Sequence, residues 1–177
     1  VTFNGVSLAG SLVQTTGTGT TLFNTAATVG QATLTTSGVD MQGSFTAAAG
    51  LSVTGDVSLG GNITTTNADI FVSGGLSLKN ASDITLASTG GDIQVNGVTQ
   101  GSDSAGSESL TLSAGTGEVT VGALYGANLT GNASGLSTIN IASAGAVLLD
   151  VVDIVGNLSV IADKTITQRQ STLVSVD

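Results

Sequence analysis

The chain reads as all-β, a parallel β-helix (β-solenoid) with roughly three short strands per coil, and three observations predict it. First, apolar–polar–apolar triplets recur along most of the sequence: Leu51-Ser52-Val53, Val57-Ser58-Leu59, Leu76-Ser77-Leu78, Ile84-Thr85-Leu86, Ile93-Gln94-Val95, Leu110-Thr111-Leu112, Val119-Thr120-Val121, Ile139-Asn140-Ile141 and Leu158-Ser159-Val160. The side-chain period of a strand is two, so each triplet sends two apolar side chains to one face and one polar side chain to the other. Second, triplet starts lie six to ten residues apart in the clearest stretches, with Gly, Asn, Asp or Ser-Thr turns between them. That spacing fits one strand and one corner, leaves no room for a helix, and favours coils stacked on one another. Third, proline is absent and glycine numbers 26. Proline cannot donate to a ladder, and glycine suits tight corners.

Residues 1–50 form an irregular N-terminal β segment that starts the solenoid. Val1-Thr2-Phe3, Val6-Ser7-Leu8, Thr21-Leu22-Phe23 and Ala32-Thr33-Leu34 read as strands, and the low-complexity run 15–20 (TTGTGT) as a loop or edge. Three of the five aromatic residues, Phe3, Phe23 and Phe45, fall here and suggest a wider or capped end of the core. Residues 51–177 form the regular coils. Three strand starts between Leu51 and Ile70 give 19 residues for one coil. At about 19 to 25 residues each, the chain makes roughly seven to nine coils, about 35–45 Å at ~4.8 Å per coil. The polar stretch 100–109 (QGSDSAGSES) and the stretch 122–137 around Tyr125 read as loops that leave the coil. The apolar run 146–155 (AVLLDVVDIV) reads as two strands with a corner at Asp150, since β-branched residues disfavour a helix.

Composition removes several function classes. Apolar residues make up 40% of 177, enough for a sizeable core, but aromatics are only 3%, so Val, Leu, Ile and Ala must fill it. Without Cys and His there are no disulfides, no thiolate or Ser-His-Asp chemistry and no common zinc site. A net charge of −9, with Lys79, Lys164 and Arg169 as the only cationic side chains, argues against nucleic acid and anionic membranes. No apolar run approaches the ~18 residues of a spanning helix, so no membrane insertion is expected.

Two segments resemble units of the filamentous haemagglutinin-like family of large bacterial exoproteins and adhesins. ESLTLSAGTGEVTV (108–121) is similar to its strand, Ala-Gly-x-Gly turn and second strand; GNLSVIADKTITQ (156–168) is similar to its Gly-Asn-Leu-x-Val strand leading into Ile-Thr-Gln. The resemblance covers about 108–177, thins over 51–107 and does not reach 1–50. It implies a right-handed parallel β-helix, two-partner secretion across an outer membrane and a place in a surface fibre. The family's secretion-domain motifs do not occur in these residues, and the family has no catalytic residues to carry over.

Candidate sites are few. Asp150 and Asp153 are placed to share a cation between coils, but turn capping explains them more simply, because the Gly-Gly-x-Gly-x-Asp repeats of a calcium-binding β-helix are missing. Asp92, after Gly90-Gly91, reads as a turn residue. Asp103 with Glu108, or Asp150 with Asp153, are the carboxylate pairs available to a glycoside hydrolase. Neither has a neighbouring Arg, His or Lys in sequence to separate the two pKa values, nor an adjacent aromatic platform for a sugar. Sequons at Asn62, Asn80, Asn128, Asn132 and Asn157 fit a chain rich in Ser and Thr. Thr33-Leu34-Thr35 and Thr64-Thr65-Thr66 suggest an ice-binding array, but their Thr positions show no constant interval in the sequence.

The expectation is therefore a secreted or cell-surface protein, non-enzymatic and without cofactor or metal. It is a structural fibre segment with an adhesive role. Its partners are adjoining solenoid segments or identical subunits end to end, and host or surface glycans or proteins. A self-assembling filament subunit, a phage tail-fibre segment and a polysaccharide-acting β-helix enzyme are the alternatives. Val1–Phe3 and 172–176 read as open strands that continue into, or dock on, an adjoining segment.

Overall fold

A computed structural model describes residues 1–79, 82–101, 107–125, 136–143, 145–154 and 156–169. These residues are all-β, with no helix. In chain order the strands are β1 (Thr2–Phe3), β2 (Val6–Gln14), β3 (Thr20–Phe23), β4 (Ala27–Met41), β5 (Phe45–Ala47) and β6 (Leu51–Leu59). Then come β7 (Ile63–Thr65), β8 (Ile70–Val72), β9 (Leu76–Leu78), β10 (Asp83–Ser88), β11 (Ile93–Gly101) and β12 (Glu108–Gly115). The last are β13 (Val119–Tyr125), β14 (Leu136–Ser143), β15 (Val147–Asp153), β16 (Asn157–Ala162) and β17 (Ile166–Gln168). All nine triplets lie inside strands, and eight have the buried–outward–buried pattern that period two demands.

Every pairing is parallel, and the registers sort into three ladders. One runs Val6–Ala27–Phe45–Ile63–Leu86–Leu112–Ile141–Val160. A second runs Leu12–Ala32–Leu51–Ile70–Ile93–Val119–Val147–Ile166. The third runs Thr21–Val39–Val57–Leu76–Thr99–Leu124–Val152. The chain visits them in this order again and again. The step between partners is 18 residues at Val39↔Val57 and lengthens to 29 at Leu112↔Ile141. The longer steps exceed the 25 expected, because stretches 102–106 and 126–135 lie inside them.

The buried apolar side chains of all three ladders belong to one continuous core. It is aliphatic along most of its length, each fully buried Leu, Ile or Val contributing about 1.5–3 kcal/mol. At the N-terminal end Phe3 stacks on Phe23 at 4.9 Å, and Phe45 meets Phe23 edge-on at 5.1 Å, so the three early aromatics form one cluster. β3 to β15 pair on both sides, which accounts for the missing proline, since a proline there removes a ladder hydrogen bond.

Three expectations need correction. Gln100 and Gly101 belong to β11, and Glu108 and Ser109 to β12, so the 100–109 loop is shorter than its composition suggests. β13 runs to Tyr125 and β14 starts at Leu136, which narrows the second loop; 102–106 and 126–135 lie outside the described residues. Leu158 and Val160 are half-buried rather than core, because β16 pairs with β14 alone among the described strands. The corner at Asp150 is present: Val147–Leu149 join one ladder and Val151–Asp153 another.

Candidate functional site

The corner that leads into the second ladder carries a buried polar network. Thr65, Ser88 and Ser143 are buried there. The Ser88 hydroxyl donates to the Ala68 carbonyl at 3.0 Å and accepts the Gly91 N–H at 2.8 Å. Ser143 repeats this two passes on, donating to the Gly117 carbonyl and accepting the Gly145 N–H at 2.9 Å. The Ser88 hydroxyl thus satisfies the Gly91 N–H, whereas Ser143 bridges a Gly145 N–H and a Gly117 carbonyl that also bond each other at 3.2 Å. Gly91, Gly117 and Gly145 stack directly on the neighbouring pass, where any Cβ would overlap backbone.

Just past these glycines, Asp69, Asp92 and Glu118 stand in one column. The Asp69 carboxylate accepts the Asp92 N–H at 2.9 Å, and the Asp92 carboxylate accepts the Glu118 N–H at 2.8 Å. Asp92 is therefore a turn residue, as its Gly-Gly-Asp context indicates. No group of three or more His, Cys, Asp or Glu placed to hold a metal ion occurs among the described residues.

Beside this column lies an open groove of about 470 Å³, lined by Gln31, Gly50, Ser52, Asn67, Asp69 and Phe71 among others. Asn67 adopts a φ of 52°, which Asn tolerates better than most residues. Thr89 locks it: the Thr89 hydroxyl donates to Asn67 Oδ1 at 2.8 Å and accepts the Asn67 N–H at 3.0 Å. Sequence reasoning did not find this groove. The available signal was Phe71, an aromatic side chain at the position where other triplets carry a polar one.

The sequence-nominated residues scatter. Asp150 is half-buried at its corner, with Arg169 Nε 3.8 Å away, and Asp153 is exposed. Glu108 is buried at the start of β12, while Asp103 lies outside the described residues. Asn62 is exposed, and its side-chain oxygen accepts the Thr85 N–H at 2.9 Å. Asn157 is also exposed; Asn80, Asn128 and Asn132 lie outside the described residues. The Thr spacing is more regular than it looks in sequence. Thr28, Thr46 and Thr64 are in register, 18 residues apart, but the column ends at Ala87 and is one residue wide. Among the described residues no helix is long and apolar enough to cross a membrane.

No protein-family model, curated protein or solved structure matches the chain.

Proposed function

We propose that the chain is a segment of a parallel β-solenoid of the filamentous haemagglutinin-like kind, exported to the bacterial cell surface. There it acts as a rigid, non-enzymatic spacer with an adhesive role. It joins adjoining solenoid segments or identical subunits end to end, and its outward faces meet surface glycans or proteins. The observation that carries this reading is the register. Three parallel ladders are visited in a fixed order, and their buried apolar residues share one core. Stacked passes of that kind grow in one dimension.

The end-to-end partnership is supported by β2. It pairs only with β4, leaving one edge without a strand among the described residues, and it exposes Leu8 (42%), which is in register with buried Val29. At the other end Ile166 (55%), in register with buried Val147, is exposed in β17. Open edges template further strands, and a head-to-tail contact between unlike ends builds an open filament.

Sedimentation and negative-stain microscopy of the purified chain test this. Narrow rods that lengthen with protein concentration are expected. The Leu8→Lys variant should remain as short rods with an unchanged far-UV spectrum. Round particles, or growth indifferent to that variant, would overturn the reading.

A further inference from the structure

Phe71 stands apart from the other phenylalanines. Phe3, Phe23 and Phe45 pack together at the end of the core. Phe71 occupies the outward position between buried Ile70 and Val72, in the column Thr33–Ser52–Phe71–Gln94–Thr120. The column continues to Val13 and Leu148 at its ends, but the two neighbours of Phe71, Ser52 and Gln94, are polar, and an outward ring between them adds little to folding, since half-exposed apolar area is left in water. It lines the 470 Å³ groove together with Gln31, Asn67 and Asp69, a volume within the usual range for small-ligand sites.

Two polar groups of that groove, Asn67 and Asp69, are held before any ligand arrives. Asn67 is held by both of its bonds to Thr89. Asp69 uses one carboxylate oxygen for the Asp92 N–H, and its other oxygen has no partner among the described residues. The Gln31 amide likewise has none there. The groove thus offers one apolar ring face beside amide donors and acceptors and a carboxylate acceptor. A pyranose needs that combination: its C–H face covers the ring, and its hydroxyls take the amide and carboxylate groups. No cation lines the groove, and the chain carries −9 overall, so anionic sugars and phosphates are disfavoured.

We propose that the groove beside Phe71 is a binding subsite for a neutral saccharide. The proposal rests on the adhesive reading above and gives it a ligand class and a place. Another groove, lined by Asp40, Asp56, Ser58 and Ser77 among others, has no aromatic residue among those lining residues and serves as the internal control.

The test is an amide-resolved NMR titration of the 177-residue chain with cellotetraose, maltotetraose and N-acetylchitotetraose, with an oligogalacturonate as the anionic comparison. At least one neutral sugar should shift residues around 31, 50–52 and 67–71, with a Kd near or below about 1 mM, and the oligogalacturonate should not. Phe71→Ser and Asp69→Asn should each weaken that binding about tenfold or more while leaving the melting temperature within about 2 °C. Three outcomes would overturn the site: no shifts at about 10 mM of any neutral sugar, shifts confined to the control groove, or an unchanged Kd in Phe71→Ser. Cell-surface attachment that survives in Phe71→Ser overturns the groove and leaves the adhesive reading standing. Attachment absent in the unaltered chain, with the sugar-induced shifts intact, overturns the adhesive reading and leaves the groove.

Discussion

Thr99 occupies an inward position of the third ladder, between Leu76 and Leu124, where the neighbouring passes place aliphatic side chains. It is 0% exposed, and its hydroxyl has no hydrogen-bond partner among the described residues. A buried hydroxyl without a partner costs about 1–3 kcal/mol. Thr99→Val keeps the shape and removes the cost, so it should raise stability by about 1 kcal/mol, read as a higher midpoint in urea unfolding with the same slope. Gly97 predicts the opposite sign. A Cβ there would lie 2.5 Å from the Gly74 carbonyl carbon and 2.6 Å from the Gly75 nitrogen, both backbone atoms that cannot swing aside. Gly97→Ala should therefore lower stability by about 1–3 kcal/mol, whereas Gly19→Ala, with nothing within 4 Å of the added Cβ, should be close to neutral. Asp92 was legible at this scale, because Gly-Gly-Asp is turn chemistry in any fold. Thr99 was not, because a Thr in a strand reads as outward until the register shows which face it takes.

At the scale of the strand, alternation predicts where to break the fold. Leu112 lies between Leu86 and Ile141 in the first ladder and is fully buried. Leu112→Asp puts an unpaired charge into the core and should cost more than about 4 kcal/mol, enough to unfold β10, β12 and β14 together. Ile161→Asp, two strands on and exposed, should change stability by no more than about 0.5 kcal/mol. Equal effects of the two substitutions in thermal unfolding would refute the assigned faces. The triplets gave the strands away because two buried apolar residues flanking an outward polar one have no helical counterpart. The joints between strands were less visible. β4 is one unbroken strand of 15 residues, yet Ala27–Val29, Gln31–Thr35 and Gly38–Met41 serve different ladders. Its corners are bends at Gly30 and at Thr36–Ser37 rather than separate turns, so sequence punctuation alone undercounts the connections.

For the whole molecule, the second ladder holds eight in-register residues from Leu12 to Ile166. Seven steps of ~4.8 Å give a stack about 34 Å tall. Small-angle scattering of the unassembled chain should show that stack height with a narrower cross-section, and circular dichroism should show strand without helix. Ionic contacts contribute little to this body. Asp40 and Lys79 approach to 2.5 Å across two passes, and Arg169 stands 3.8 Å from Asp150, but partly exposed pairs give at most about 1 kcal/mol. Added salt should therefore leave the melting temperature nearly unchanged, which a scan from low salt to about 1 M checks.

The sequence by itself determined the secondary-structure class, the strand positions and most of the buried residues. Those follow from a period of two, from β-branched composition and from glycine, all of which act within a few residues. Which residues stand beside one another was decided only by the tertiary structure. Partners in the ladders lie 18 to 29 residues apart, and that interval varies along the chain, so no fixed spacing in the sequence announces them. The Asp69–Asp92–Glu118 column, the Thr28–Thr46–Thr64 column and the groove joining Gln31 to Phe71 exist because parallel stacking brings distant residues to within one strand spacing. Local chemistry fixes what each segment becomes, and hydrogen bonding between successive passes fixes what it faces.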